Sequence, residues 1–400
     1  MNILILEAEL IGHHPIYLER IARAHLEMGR KVTVAVSEQY ASHQLLDHLG
    51  RLYDDFRVET ISDAQCRHAL NSKFGNIGRE IAFWRVFRQV YIRVAARQHV
   101  DYVFLPYLDY CLYAFGLLGS PFGASNWGGI CMRPSFHFKQ MAVVAPPSPF
   151  GLGKKWLFER VMRLPTMLSM FTIDQTLAFY YIKRPVIGSA KLAYLADPAE
   201  AQANYPQSMA RRALGMPDTG STILVYGALD SRKGIRQLIQ GMLHEDAPRD
   251  LNLLIVGEQS PEIQKLLCSD LVAPLRREGK LYQLDNFVSD EQERLAFSAS
   301  NIAWLGYSGH YTMSGVLVKA VQHGLVILGT NQGLIGWHIK GEKLGAAVDI
   351  QDPASVARAL SWCLHHGGLS GELQASWKDS YSWEEAVKVL LKRCGSVATN

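Results

Sequence analysis

"LIGHHPIYLERIARAHLEMGRKVTV", Leu10–Val34, decides how this chain is read. Just before it, Ile3–Leu6 is a short, bounded apolar run of the kind that forms a buried strand. Inside it, Tyr17, Leu18, Ile21, Ala22 and Leu26 recur three and four apart, which predicts an amphipathic helix. Gly29 ends that helix, and Lys31–Val36 reads as a second strand. The unit is βαβ, and ligands of open α/β sheets collect at the carboxyl ends of the strands. Gly12, His13 and His14 fill the first strand-to-helix turn, so they are expected at a ligand. Gly12 leaves room for close approach, and His14 could hold a sugar hydroxyl or a phosphate. The turn lacks GxGxxG, which argues against a dinucleotide cofactor.

The alternation continues outward from this unit. In the first half, 101–106, 126–132 and 168–174 read as strands. The run 145–155 is a loop rich in Pro and Gly. The segment 191–222 carries Pro198, Pro206 and Pro217 with weak periodicity, and reads as a connection between domains. A second series follows: strands at 222–227, 251–257, 281–288, 301–306, 325–329 and 346–350. Helices are expected at 234–243, 260–279, 289–300, 314–324, 352–367 and 382–394, the third entered through Ser289 as N-cap. Strands alternating with helices argue for parallel sheets. Two series in 400 residues predict two doubly wound domains facing each other across a cleft. The expected divisions are 1–190, 191–380 and a last helix in 381–400.

Bulk properties narrow the function classes. Hydrophobic residues make up 48% and charged residues 20%, as in ordinary globular proteins. The six cysteines have no zinc or CxxC spacing, and read as reduced thiols in a cytoplasmic protein. No metal site is expected. The start lacks a basic n-region and carries Glu7 and Glu9, unlike a signal peptide. No run is long and apolar enough to span a bilayer. Positive charge is concentrated between Lys73 and Arg163. Arg79, Arg85, Arg88, Arg93 and Arg97 share one helical segment with Trp84, Phe87 and Tyr91. Lys154, Lys155, Arg160 and Arg163 lie beside Trp156 and Phe158. Two readings are open: peripheral docking on an anionic membrane, or core-facing helices with a solvated basic face. Nucleic acid is not an expected partner, because no recognised motif accompanies the charge.

Three further groups carry chemistry. "YGALDSRKGI" (226–235) runs from a strand through Gly227 and Asp230 to Arg232 and Lys233 at a helix start. Two cations and free backbone N–H groups there suit a diphosphate. "LGYSGHYTMSGVLVKAVQHG" (305–324) brings a glycine-bearing loop to a helix, where Ser314 and the amides of Gly315 and Val316 could receive a phosphate. Lys319 follows about one turn later. Gly257 and Glu258, and Phe287, sit at strand ends of the same series. In the first half Asp109, Arg133 and His137 follow strands and are expected on the facing side.

Taken together, the order of elements resembles the GT-B glycosyltransferases, and most closely glycosyltransferase family 4. The resemblance rests on "YLERIARAHLEMGRKVTV", "FTIDQTLAFY" with "KLAYLADP", "YGALDSRKGIRQLIQGM" with "LNLLIVG" and "NFVSDEQ", and "GVLVKAVQHGLVILGTNQG". It implies a GT-B fold and transfer of a sugar from a nucleotide-diphosphate sugar, UDP- or GDP-linked. Transfer would be retaining and metal-independent, with no bound cofactor. It implies donor binding in the C-terminal domain by Gly227, Arg232, Lys233, Gly257, Glu258, Phe287, Tyr311, Ser314, Gly315 and Lys319. Acceptor binding falls to Gly12, His13, His14, Asp109 and His137. His14, Arg133 and Lys233 are the expected catalytic residues.

Lys233 falls on the family's diphosphate lysine, whereas Ala228 stands where an arginine is usual. The two family glutamates, eight positions apart, align with Tyr311 and Lys319, and Arg133 stands near a position often held by histidine. Lys319 and Arg133 are therefore expected to add positive charge, which suits an acidic sugar or a lipid-pyrophosphate acceptor. The acceptor class expected is a lipid-linked glycan or surface-polysaccharide precursor, used at the inner membrane face. Two other functions fit the same pattern: a scaffold that has lost catalysis, and a different GT-B enzyme such as a nucleotide-sugar epimerase or a phosphorylase.

Overall fold

A computed structural model describes residues 1–71 and 75–394. The chain divides into two units. The first comprises Met1–Met141, Pro147–Ala196 and the segment from Trp383 on; the second comprises Ala142–Pro146 and Asp197–Ser382. Lys73, which bounds the basic region of the sequence, lies outside the described residues.

The first unit is built on seven strands: β1 (Asn2–Leu6), β2 (Lys31–Ser37), β3 (Phe56–Ile61), β4 (Tyr102–Leu105), β5 (Asn126–Cys131), β6 (Met167–Thr172) and β7 (Leu192–Tyr194). They pair in the order β3-β2-β1-β4-β5-β6-β7, every pair parallel. Chain order reverses between β1 and β4, the point at which doubly wound sheets open a ligand crevice. Strands such as β2 are buried along nearly their whole length because helices cover both faces. β5 carries Gly128 for a packing reason. A Cβ there would stand 2.1 Å from the Tyr102 hydroxyl, which meets the Ser169 hydroxyl at 2.9 Å across the strand. The Trp383–Cys394 helix returns to this unit, where the Trp383 and Tyr17 rings meet at 5.0 Å.

The second unit has six parallel strands: β8 (Ser221–Tyr226), β9 (Leu251–Val256), β10 (Leu281–Leu284), β11 (Ile302–Leu305), β12 (Val326–Thr330) and β13 (Gly345–Val348). Their order is β10-β9-β8-β11-β12-β13, so the reversal lies between β8 and β11. Its core joins Ile223, Val225, Leu253, Ile255, Trp304 and Leu328 to the buried faces of the flanking helices. Both sheets have the Rossmann-like winding expected from the alternating pattern.

Several local expectations are corrected. The run 260–279 is not one helix: it splits into Pro261–Leu267, a 3-10 turn Asp270–Val272 and Ala273–Arg277. The Ser269 hydroxyl donates to the Leu266 carbonyl at 2.6 Å, and Pro274 restarts the helix at a position where its missing N–H costs nothing. The supposed connection 191–222 contains β7 and the Gln207–Ala213 helix. β3 and the Gly333–Gly341 helix are not among the expected elements. The basic helix Gly75–Ala95 turns its aromatic residues inward. Phe87 is buried, Trp84 donates to the Gly119 carbonyl at 2.9 Å, and the Tyr91 hydroxyl meets Ser125 at 2.8 Å. Arg93 and Arg97 are tied to Glu59. The core-facing reading therefore describes this helix. No helix among the described residues is long and apolar enough to cross a membrane.

Candidate functional site

Each unit gathers polar residues at its own topological switch point. In the first, β1 delivers Glu7 and the next turn delivers His14. Glu7 is fully buried and its Oε1 lies 3.1 Å from Nδ1 of His14. The backbone amide of Glu9 donates to the same oxygen at 3.3 Å, and the Tyr110 hydroxyl donates to Glu9 at 3.1 Å. The His14 ring packs 4.7 Å from Tyr107 and 5.0 Å from His13. Burial disfavours the imidazolium of His14, but the hydrogen bond and charge of Glu7 outweigh it and raise the pKa above the ordinary histidine value. His13 has no carboxylate partner of this kind. Burial, with the charges of His14 and Arg133, pulls it down to about 4. The two histidines of the turn are thus electrostatically unlike, which sequence alone does not reveal.

Gly12 turns left-handed at φ 60°, and a Cβ there would meet no atom within 4 Å. Its backbone conformation favours glycine, and the space over it is open. Asp109 works behind the surface: its carboxylate accepts the amides of Met132 at 2.7 Å and Arg133 at 3.0 Å, fixing the chain after β5. Arg133 is exposed, with its guanidinium 5.3 Å from the Tyr107 ring centre. Gly12, His13, His14, Asp109, Arg133 and Tyr107 thereby form one neighbourhood. His137 does not belong to it. It is fully buried, its Nε2 is 2.9 Å from both Asp174 and Thr176, and its Nδ1 is buried without a hydrogen-bond partner, so no part of the ring reaches the surface. The expected acceptor role is withdrawn, because this histidine locks the start of the Gln175–Lys183 helix.

In the second unit the switch point is laced shut behind a single ammonium group. Lys233 ends the 3-10 turn Ser231–Lys233, whose N-cap Asp230 accepts the amide of Arg232. Its Nζ donates to the Tyr226 carbonyl at 3.1 Å and to the Tyr307 hydroxyl at 2.7 Å. Two contacts join the turns behind it: Trp304 Nε1 to the Lys233 carbonyl at 2.8 Å, and the Ser308 amide to the Arg232 carbonyl at 2.8 Å. Gly234, left-handed at φ 62°, admits this approach; a Cβ would stand 2.1 Å from the Gly306 carbonyl. A Cβ on Gly227 would lie 3.3 Å from Nζ of Lys233 and 4.0 Å from Val316, so Gly227 keeps the space between ammonium and helix start clear. A Cβ on Gly257 would strike the Gly227 carbonyl at 2.1 Å. The Gly315–Gln322 helix opens here with Ser314 as N-cap, and its first amides have no intrahelical acceptors.

The other expected donor residues are placed unevenly. The guanidinium of Arg232 is held by Asp230 at 2.6 Å, so its charge is largely met. Lys319 is likewise not a surplus charge: its Nζ donates to both oxygens of Glu293 at 2.7 Å, and the Tyr226 hydroxyl donates to the same carboxylate. The positive charge expected from Lys319 is corrected on that ground. Tyr311 is half-buried, and its carbonyl accepts the amide of Leu334 at 3.0 Å. Glu258 is exposed, and its backbone carbonyl accepts from Leu229 at 2.9 Å. Phe287, in the loop after β10, is 90% exposed. Sequence reasoning missed Glu7, Tyr107, Tyr110, Tyr226, Glu293, Tyr307 and His310. Of these only Glu7 carried a signal, as a carboxylate immediately after an apolar strand. His310 lies with its ring 5.6 Å from Tyr307. Among the described residues no group of three or more His, Cys, Asp and Glu is placed to hold a metal.

No family model matches the chain, and no curated protein matches it. Solved structures do. Sucrose-phosphate synthase from Thermosynechococcus elongatus is 15% identical with a TM-score of 0.68, over 99% of this chain and 98% of that one. Anabaena HepE in complex with UDP is 13% identical with a TM-score of 0.69, over 99% and 100%. WaaG, a glycosyltransferase involved in lipopolysaccharide biosynthesis, is 13% identical with a TM-score of 0.57, over the full length of both chains. The chain has the GT-B fold, the architecture of those glycosyltransferases. At such identities the likeness speaks for the fold, and the activity must be argued from the site.

Proposed function

We propose that this protein is a glycosyltransferase that moves a sugar from a nucleotide-diphosphate donor to a glycan or lipid-linked acceptor. The observation that carries the reading is Lys233, an ammonium group held by Tyr226 and Tyr307 beside Gly227 and the opening of the Gly315–Gln322 helix. A cation, a glycine and free amides at a sheet's switch point suit the two phosphates of a nucleoside diphosphate. The fold supports the same class, and HepE has been solved with UDP-glucose, with UDP and with UDP plus glucose. Ser314, Gly257, Glu258 and Phe287 complete the donor side, Phe287 as an exposed ring for the base. To Tyr311 we assign the contact with the transferred sugar, and to the Lys319–Glu293–Tyr226 group the contact with the nucleotide ribose.

The chemistry needs charge control more than covalent help. The bond from the anomeric carbon to the diphosphate oxygen breaks, and negative charge grows on the leaving phosphate. Lys233 and the helix amides stabilise it in the transition state. The acceptor oxygen bonds to the anomeric carbon, and its proton passes to the departing phosphate. We assign this course retention of configuration and no metal requirement. On the acceptor side His14, held by Glu7, bonds the attacking hydroxyl, and Arg133 with His13, Gly12 and Asp109 shapes its surroundings. Donor binding belongs to the second unit and acceptor binding to the first, and we place the protein at the inner membrane face.

The test is release of nucleoside diphosphate from UDP- and GDP-sugars, with and without added acceptor lipids. Lys233→Ala is expected to lower kcat by roughly 10²–10³-fold. Product NMR reads the anomeric configuration, and added EDTA reads metal dependence. Turnover that is indifferent to Lys233→Ala contradicts the assignment.

A further inference from the structure

The Gly151–Met162 helix is apolar on two sides. Its inner side buries Phe158, Val161 and Met162 completely. Its outer side leaves Leu152 87% and Trp156 53% exposed, one turn apart. A surface helix of a monomer ordinarily turns polar groups outward. The residue before the helix sharpens the anomaly. Phe150 adopts the left-handed conformation, φ 56° and ψ 31°, which is costly for an aromatic residue, yet its side chain is 86% exposed. The backbone is strained to present an aromatic ring that packs on little of this protein.

Further exposed apolar residues lie along the helix and just past it in the chain. Arg160 continues the Leu152–Trp156 spacing, its guanidinium 4.9 Å from the Trp156 ring centre. At the far end the chain returns beside the last turn: a Cβ on Gly188 would stand 2.3 Å from the Met162 carbonyl. The residue before it, Ile187, is 77% exposed, and Ile182 on the packed Gln175–Lys183 helix is 72% exposed. Cations neighbour these apolar residues along the chain: Lys154 on the helix, Arg163 as its C-cap, and Lys183 and Arg184 next to Ile182, the last three exposed. The one carboxylate on this helix, Glu159, is already shared by Lys155 at 3.7 Å and Arg163 at 3.9 Å.

We propose that this face, from Phe150 through Leu152 and Trp156 to Ile187, docks on an anionic lipid bilayer. Large apolar side chains enter the acyl boundary while the neighbouring cations meet phosphate headgroups. Charge complementarity favours a lipid surface over a second copy of this chain, whose matching face would bring cation against cation. The assignment is independent of the donor site and needs no turnover to be tested. It also moves membrane contact away from the Gly75–Ala95 helix, whose aromatic residues face the core.

The test uses the full chain and vesicles of phosphatidylcholine containing about one quarter phosphatidylglycerol, with pure phosphatidylcholine alongside. Wild type is expected to co-sediment with the mixed vesicles, to bind pure phosphatidylcholine less, and to show a blue shift of emission that Trp156→Phe removes. Phe150→Ser with Leu152→Ser is expected to weaken binding about tenfold or more. Phe150→Gly relieves the strained backbone, so it should weaken binding without lowering Tm, which separates loss of docking from loss of folding. Arg85→Glu with Arg88→Glu should leave binding intact. Wild type that ignores the mixed vesicles overturns the proposal, as does equal binding by the Phe150/Leu152 variant. A dimer that becomes monomeric on the same substitutions, without vesicle binding, overturns it in favour of self-association.

Discussion

At the scale of residues, two glycines separate backbone need from packing need. Gly12 and Gly234 are both left-handed, but only Gly234 faces another carbonyl at a distance no Cβ can occupy. Gly12→Ala should cost about 1 kcal/mol, the price of the backbone conformation alone. Gly234→Ala should cost about 3 kcal/mol or more, because strain and a backbone clash add. Urea unfolding of the two variants measures the gap. The turn histidines make a second prediction. Glu7→Gln should lower the His14 pKa, because the carboxylate that outweighs burial is gone; His13 should keep its depressed value. Imidazole NMR titration, with His14→Ala as the assignment control, reads this directly. Linkage fixes the sign for wild type. His14 adds stability that is present below the unfolded histidine pKa and is lost as pH rises through its raised folded value. The sequence could place both histidines at a strand end, since strand and helix periods are local. It could not rank them, because the ranking comes from Glu7 seven residues away and Arg133 in another loop.

At the scale of elements, the Gly75–Ala95 helix shows how a charged stripe misleads. Its arginines are regular along the chain, and nothing local tells whether Trp84, Phe87 and Tyr91 point to the core or to a partner. Partners distant in sequence decide it: Gly119, Ser125 and Glu59. The same helix carries Glu80, whose carboxylate accepts the amides of Tyr113 at 2.6 Å and Ala114 at 3.2 Å and caps the Leu112–Leu118 helix. Burial pushes this carboxyl up to about 7, against the pull of those two amides. The folded state then holds a proton that the unfolded chain has released, so stability falls as pH rises from about 4.5 to about 7. Glu80→Gln should abolish that loss. Unfolding free energies of both proteins at the two ends of the window measure it, and parallel curves would refute the role given to Glu80. Strand–helix alternation was legible because each period is short. The break at Ser269–Pro274 was legible only in part, because apolar spacing runs through it.

At the scale of the whole molecule, doubly wound sheets followed from the alternation of elements in two series, and both switch points fall at motifs the sequence had marked. What periodicity could not show is that the Trp383–Cys394 helix packs back on the first unit. Trp383 packs on Tyr17, and the Cys394 thiol lies 3.5 Å from the Tyr102 hydroxyl. Trp383→Ala should destabilise the first unit by about 3 kcal/mol, and removal of the helix from Trp383 on should do so more severely. Differential scanning calorimetry would register the shift in one transition.

The central claim is that the switch point of the second unit binds a nucleoside diphosphate through Lys233. Its most direct test is a thermal-shift screen of the purified protein against UDP, GDP, dTDP, ADP and CMP, repeated with Lys233→Ala. A ligand that binds only the folded state raises its stability by mass action, by about 2.7 kcal/mol at a hundredfold excess over Kd. The account predicts that a diphosphate raises Tm of the wild type and leaves the variant unmoved. No shift with any nucleotide, or the same shift in both proteins, would contradict it.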